Sequence, residues 1–453
     1  MEKAKMLKAV LLIALVVAAV FSCVSCRTEV IQYGVVEKGY VPDIKGTVKI
    51  SAYNSAGEEG KTSIRALASA FESKYPGTKV NVDISITDQA STANRIASGD
   101  IGDVFFFWEE DTYSYAISNN AIMNLTQYLE PLGIDIGNIY SGTMDLGRIN
   151  GNIYMVARDH THVTLIYNRD ALVAAGLSDP KSGWTWDDFK NYCERLTIVG
   201  DDGKYEQVGA SINFSYGPAI IPVLQGWGGK WVDTINKKID LTSEDVVKGI
   251  EEIIGLMEKG YMIPTGATGE MSAKYSKVQN SRIRTVFNDS VFPELASRCK
   301  EYESFNVDWN VCDWFAYPVH SVGAGATGFG VYNRTKNPDT AAALALFFYT
   351  EDGQRAYNGQ IGGSVPNVRS LALDSFWRVG GKEDTNYDAY VSFPDNDVVG
   401  KFECLMPSEI ASIIKAQIGN VFSNYFSGKA DYRDTLQKIE QQCNEKWQVI
   451  YGG

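Results

Sequence analysis

The sequence predicts an α/β protein of two lobes, and three observations carry that reading. From Thr47 onward, runs with strand periodicity alternate with runs of helical periodicity, the pattern of βαβ units and a doubly wound sheet. A chain of 453 residues is too long for one small domain and suits two of ordinary size. Apolar residues make up 45% and charged residues 21%, the balance of a globular protein with a proper core.

The elements follow in order. Lys3, Lys5 and Lys8 precede an unbroken apolar run from Ala9 to Phe21, and Ser22-Cys23-Val24-Ser25-Cys26 follows it. Charge, a short apolar stretch and then small residues make a secretory signal, and the run is too short to span a bilayer comfortably. A Cys after a small residue at the signal's end resembles a bacterial lipobox, with Cys26 the preferred acylation site and Cys23 the alternative. Ordinary cleavage to a soluble product is the competing reading. Residues 1–26 are therefore expected to be signal and lipobox, and 27–45 a tether.

Val48 to Tyr53 alternates as a strand. Ile64, Leu67, Ala68, Phe71 and Tyr75 then recur at helical spacing until Pro76-Gly77 stops them. Val80 to Ile86 alternates again, and Asp103 to Phe107 is an apolar run of the kind buried in a parallel sheet. Leu165 to Asp170 reads as a strand running into a helix, and Thr185-Trp186-Asp187-Asp188 fits a capping box. Leu241-Thr242-Ser243 opens a helix with the apolar face Val246, Val247, Ile250, Ile253, Ile254 and Met257, ended by Lys259-Gly260. Asn337-Pro338-Asp339 starts an Ala-rich helix through Phe348. Long helical patterns run from Ser408 to Phe426 and from Tyr432 to Trp447.

Composition excludes some function classes. A net charge of −13 argues against nucleic acid, because phosphate binding needs a basic face. Cys193, Cys299, Cys312, Cys404 and Cys443 show no CxxC or zinc-like spacing, although one disulfide, such as Cys299 with Cys312, fits an oxidising compartment. There is no Gly-x-Ser-x-Gly elbow, Walker loop or Cys/His pair in a recognisable context. No catalytic residue, cofactor or metal is expected. His160-x-His162 could offer two imidazoles on one face of an extended segment, but Asp159 falls on the other face and His320 is the only further His.

Several segments carry a family resemblance. Phe71-Glu72-Ser73-Lys74-Tyr75-Pro76-Gly77, Asp103 to Glu110, Thr164 to Asp170, Gly183-Trp184-Thr185-Trp186-Asp187-Asp188-Phe189, Gly226 to Trp231, Gly328-Phe329-Gly330-Val331 and Gly353-Gln354-Arg355 occur in a shared order. In these the chain resembles the extracellular solute-binding proteins of family 1, the sugar-binding subunits of ABC importers that include the maltodextrin-binding protein. The resemblance spans nearly the whole mature chain. It implies a two-lobe periplasmic-binding-protein fold, class II-like, with a hinge between lobes and the ligand cleft at their interface. The N-terminal lobe would hold 46–160 and a return segment 316–355, and the C-terminal lobe 161–315 and a helical end 356–453. It also implies a monomer held at the membrane by its lipid anchor, partnered by a small-molecule ligand and the importer's membrane subunits. Met155 to His162 departs from the Gly-Leu-Pro-like stretch usual before the crossover strand, so the ligand is not fixed by the family.

A pyranose packs its C–H faces on aromatic rings and presents hydroxyls to planar polar groups. In an open α/β sheet such groups belong on loops after the carboxyl ends of strands. The candidates are Asn54, Ser55 and Glu58; Trp108, Glu109 and Asp111; Arg158, Asp159 and His160; and, from the second lobe, Tyr216, Trp227, Asn288 and Asp289. Trp184 and Trp186 read as packing at a helix start, and Glu110 as solvated. Trp108 could equally finish the core, and Asp289 could be a turn residue. Competing functions are a glycoside hydrolase using Glu109 and Asp111 as an acid–base pair, a structural lipoprotein, or a binding protein for a polyol, peptide or polyamine.

Overall fold

A computed structural model describes residues 39–53, 57–325, 327–360, 363–392, 397–399 and 406–451, without the side chains of 57–60 and 397–399. Cys23, Cys26, Cys404, Asn54 and Ser55 lie outside the described residues, as does the side chain of Glu58.

Two five-stranded sheets organise the chain. In the first, β1 (Gly46–Tyr53) is parallel to β2 (Thr78–Ile86) and to β3 (Val104–Trp108). Between them run α1 (Gly57–Lys74) and α2 (Gln89–Ser98), the latter capped by the Asp88 carboxylate on the Ser91 N–H at 2.6 Å. The fourth strand arrives from far along the chain: Thr327–Val331 pairs antiparallel with β3, Phe329 opposite Phe106, and on its other side with Val156–Ala157. The Asp103–Phe107 run was expected in a parallel sheet, and the structure corrects this to parallel on one side and antiparallel on the other. The reason is that Val104 to Phe107 are buried on both faces, which makes a continuous apolar run whatever the direction of the neighbouring strand.

In the second sheet Thr164–Asn168 lies antiparallel to both Trp309–Asp313 and Thr285–Ser290. Thr285–Ser290 is parallel to Tyr205–Ser211. Side chains alternate between two cores: Leu165, Tyr167 and Cys312 enter one, and Ile166, Trp309 and Val311 the other. That alternation also separates Cys299 from Cys312. Cys299 belongs to the second core and its thiol donates to the Ala296 and Gly380 carbonyls, so the two are free thiols rather than the disulfide that spacing allowed.

Local signals were read faithfully where the interactions are local. Thr185 and Asp188 form the capping box, Thr185 Oγ accepting from the Asp188 N–H at 3.2 Å and Asp188 accepting from the Thr185 N–H at 2.9 Å. The helix Glu244–Glu258 buries the expected face, and Gly260 (φ 78°) ends the segment where a Cβ would overlap the Tyr205 hydroxyl. The long pattern from Ser408 to Phe426 is instead two helices, Ser408–Gln417 and Asn420–Phe426. They part at Gly419, where a Cβ would lie 2.7 Å from Ser215 Cα, so the break admits the loop that follows Tyr205–Ser211.

The chain crosses between the two sheets at Thr161–His162 and again at Val322–Gly325, and these two passages lie side by side. Thr161–His162 and Asp397–Val399 flank Val322–Gly325 in a small three-stranded sheet. This ribbon ties the two sheets together directly behind the space between them.

Candidate functional site

A cavity of 360 Å³ opens between the two sheets. Its first wall comes from the carboxyl end of β3, which places Trp108, Glu109 and Glu110, and from the passage that places Arg158, Asp159 and Thr161. The facing wall comes from the loop after Tyr205–Ser211 and the helix it enters, which bring Ser215, Tyr216, Pro218, Ile220 and Ile221. Val291 and Pro293 follow Thr285–Ser290, Gly325 and Thr327 form the base, and Lys415 and Ile418 descend from the C-terminal helices. Three loops after strand carboxyl ends thus converge, as an open α/β sheet dictates.

Trp108 is half-buried and held edge-on, its ring 5.3 Å from Tyr53 at 77° and 5.0 Å from Phe106 at 82°. This T-shaped support leaves the Trp108 side chain on the cavity wall. Tyr216 faces it from the second sheet's side. Burial raises the Tyr216 phenol above its ordinary range, and the carboxylates of Glu109, Glu294, Asp289 and Asp159 push it in the same direction. Gly325 keeps the base open: a Cβ there would sit 3.1 Å from the Tyr216 hydroxyl and 3.7 Å from Glu109 Oε1.

Two ion pairs stand in the walls. Arg158 Nε lies 2.8 Å from Asp159 Oδ2, its Nη1 donates to the Tyr357 hydroxyl at 3.3 Å, and its guanidinium stacks over Phe106 at 5.6 Å. Asp159 is 2% exposed, and burial raises its carboxyl despite the pull of Arg158. Across the cavity, Lys415 pairs with Glu110, which also accepts from the Gln89 amide. Burial lowers the Lys415 ammonium, with Glu109 acting against that shift. Glu110 is therefore an ion-paired wall residue, a correction to its reading as solvated.

Of the sequence-predicted residues, the structure brings Trp108, Glu109, Arg158, Asp159 and Tyr216 together. The other described candidates stand elsewhere. Asp111 lies behind the wall, where burial pushes its carboxyl up to about 6 and Gln89 donates to it at 3.4 Å. His160 is fully buried, stacked on Tyr140 at 4.3 Å, and its Nε2 is 3.4 Å from His162 Nδ1. The alternation of an extended segment explains this: Asp159 and Thr161 face the cavity, so His160 and His162 face the core. Burial lowers both imidazoles, and His162 Nε2 meets the Ala389 carbonyl at 2.8 Å. Among the described residues no cluster of three or more His, Cys, Asp or Glu could hold a metal ion.

Trp227 stands in a separate recess, packed on Tyr317 at 5.1 Å and on Trp186 at 5.9 Å. A Cβ at Gly226 would meet the Tyr317 ring at 2.7 Å, and one at Gly249 would come 3.1 Å from the Trp227 ring, so the glycines let these groups close in. Asn288 is buried and spent on the fold: it accepts from Thr285 Oγ at 2.8 Å and donates to the Thr285 carbonyl at 2.7 Å. Asp289 accepts the Asn213 N–H at 3.0 Å and so fixes the loop that carries Tyr216. It lines a neighbouring recess with Arg298 rather than the cavity.

The residues missed include Thr161, Ser215, Val291, Pro293 and Gly325. The rule of loops after strands had the reach to find Ser215 and Val291. Lys415 and Ile418 had no such signal, because they come from a helix whose periodicity announces only packing.

The comparisons with known proteins fit this architecture. The sequence profile described as bacterial extracellular solute-binding protein matches residues 66–384. Among solved structures, the sugar-binding protein MalE from Xanthomonas citri superposes with a TM-score of 0.70 at 16% identity, covering 89% of this chain and 98% of that one. An ABC substrate-binding protein from Listeria monocytogenes, in complex with cycloalternan, gives 0.69 at 17% identity over 89% and 99%. An ABC transporter solute-binding protein from Thermotoga lettingae, bound with α-D-tagatose, gives 0.68 at 14% over 89% and 100%. At such identities the likeness establishes the fold, a two-lobe solute-binding architecture of mixed α/β sheets. With a cavity between its two sheets and the profile covering most of its length, this chain belongs to the bacterial extracellular solute-binding protein family.

Proposed function

We propose that this protein captures a short saccharide in the cavity between its lobes and delivers it to the membrane subunits of an ABC importer. The observation that carries the reading is the composition of the cavity: Trp108 and Tyr216 on facing walls, with carboxylates, a guanidinium and hydroxyls between them. Aromatic faces for C–H surfaces and planar groups for hydroxyls are what a pyranose requires. A volume of 360 Å³ sits toward the small end of the range for ligand pockets, roughly 300–1,000 Å³, which favours a short ligand. The saccharides and the sugar-binding function named for the similar structures point the same way. In this reading the paired passages Thr161–His162 and Val322–Gly325 act as the hinge, and closure about them encloses the ligand.

The protein works outside the cytoplasm as a monomer, tethered by acylation of Cys26 or Cys23 after the Lys3–Phe21 signal. No helix among the described residues is long and apolar enough to cross a membrane. No observation favours the hydrolase reading, since Asp111 stands outside the cavity and Glu110 and Asp159 are each held by a cation.

A thermal-shift screen over saccharides, polyols, amines and peptides tests the proposal, followed by calorimetry and solution scattering on the best ligand. A saccharide at a hundred times its Kd should add about 2.7 kcal/mol to stability, reduce the radius of gyration and be recovered uncut. Stabilisation by peptides or polyamines with none by saccharides would reassign the ligand class. A tightly bound ligand that leaves the scattering curve unchanged would refute closure.

A further inference from the structure

We infer that the cavity sorts saccharides by charge, admitting neutral and amine-bearing ones and refusing acidic ones, and that Lys415 and Glu110 set this threshold. The inference rests on the saccharide reading above and goes further by naming the class of saccharide.

The charged groups that line the cavity are Glu109, Glu110 and Asp159 against Arg158 and Lys415. Carboxylates outnumber cations, and each cation already faces a carboxylate partner. Arg158 is held by Asp159 at 2.8 Å and by the Tyr357 hydroxyl, and Lys415 is held by Glu110 from the opposite lobe. A uronate or sugar phosphate entering this space would have to take a cation from its partner. Stripping Arg158 would strand Asp159, which is 2% exposed, and stripping Lys415 would strand Glu110, whose side chain is 17% exposed. Just behind the wall, Asp289 and Glu294 act on Tyr216 with the same sign as Glu109 and Asp159, and the cation there, Arg298, is paired with Glu294. The remaining lining is apolar or hydroxylic, including Pro218, Ile220, Ile221 and Val291. It offers hydroxyl groups contacts without asking for charge, and an ammonium would meet the excess of carboxylates.

Lys415 is thereby a specificity-determining residue rather than an anion receptor. Its ammonium spans the cavity to Glu110 and spends its charge there. Neutralising either partner moves the local balance by one charge, in opposite directions.

The test uses the full mature chain at low ionic strength, where surface screening is least. Neutral mono- and disaccharides are compared by calorimetry with their 2-amino and uronic acid counterparts. The expected result is that each uronic acid binds roughly tenfold or more weakly than its neutral parent, while the amine binds at least as well. Glu110→Gln, which frees Lys415, should narrow the gap between acid and neutral parent, and Lys415→Met, which leaves Glu110 alone, should widen it. Opposite shifts cannot come from general damage to the fold, which would weaken all three series together. Acidic saccharides binding as tightly as neutral ones, or both variants shifting the gap the same way, would overturn the inference. Silence of all three series would instead remove the saccharide reading, and this inference with it.

Discussion

Arg158→Met isolates the buried ion pair at the back of the cavity, and its consequences can be worked out from the surroundings. Methionine keeps much of the aliphatic stem but loses the guanidinium, and with it the contact over Phe106 and the charge beside Asp159. Asp159 is 2% exposed and keeps only neutral hydroxyl neighbours, Thr161 Oγ at 3.4 Å and Ser364. Removing one partner of a buried pair costs about 3–5 kcal/mol, because the other charge stays behind without compensation. That is a large share of a typical total of roughly 5–15 kcal/mol. Asp159→Asn should cost less, about 1–2 kcal/mol, since Arg158 retains the Tyr357 hydroxyl and is itself 20% exposed.

The loss has a definite pH dependence. Burial already raises Asp159 in the native protein against the pull of Arg158, and the variant deletes that pull, so its folded-state carboxyl rises further. A carboxyl raised on folding contributes its stability fully below the unfolded value of about 3.9 and loses it as pH climbs through the folded value. Arg158→Met should therefore be closest to the native protein in acid and fall away toward neutrality. Urea unfolding of both proteins at pH 5 and pH 8 measures this. A variant gap that is absent at pH 8, or larger at pH 5 than at pH 8, would refute the assignment of a charged Asp159 held by Arg158.

Four further outcomes are expected. Trp108→Ala should weaken saccharide binding by about 1–2 kcal/mol, roughly five- to thirtyfold in Kd, with little change in unfolding. Trp186→Ala should lower stability by about 3–5 kcal/mol through a core cavity beside Phe189, Phe315 and Tyr317 and leave affinity intact; Trp227→Ala should resemble it in kind. Calorimetry paired with denaturant melts separates the three, and Trp108→Ala destabilising without affecting binding would make that ring a core residue. Gly325→Val should abolish binding by filling the base next to the Tyr216 hydroxyl while the apo protein stays folded, and normal affinity in the valine variant would move the site elsewhere. Replacing Cys23 and Cys26 together with Ser should leave the chain without lipid label in cells fed a labelled fatty acid, and unchanged labelling would exclude acylation at both.

Legibility tracked the range of the interactions. The Thr185 capping box spans three residues and the Glu244–Glu258 face a few turns, so both could be read directly. Trp108, Glu109 and Tyr216 line one cavity because each follows a strand's carboxyl end, a position the sequence marks even where the partners are unknown. Trp227 stands apart from the cavity because Gly226 and Gly249 let Tyr317 and the Trp227 ring close in beside Trp186. Asn288 was misjudged because an amide at a strand end looks available until Thr285 and Tyr302 are seen to occupy it. Lys415 stayed invisible, since nothing in an Ile-rich helix says which distant carboxylate it will meet. Strand direction was lost too, because a run buried on both faces carries no record of its neighbour's polarity.

The return of Thr327–Val331 to the first sheet sets an order of events during synthesis. A chain that emerges N-terminus first presents β1, β2 and β3 long before their missing neighbour exists, since Thr327 pairs with Trp108 from more than two hundred residues downstream. Until then the aromatic edge Val104–Trp108 is open on the side that Thr327–Val331 will occupy. The intervening stretch must emerge first, including all five strands of the second sheet. Closing so long a loop is slow. A nascent chain of this design therefore completes its first sheet only after every strand of the second has emerged.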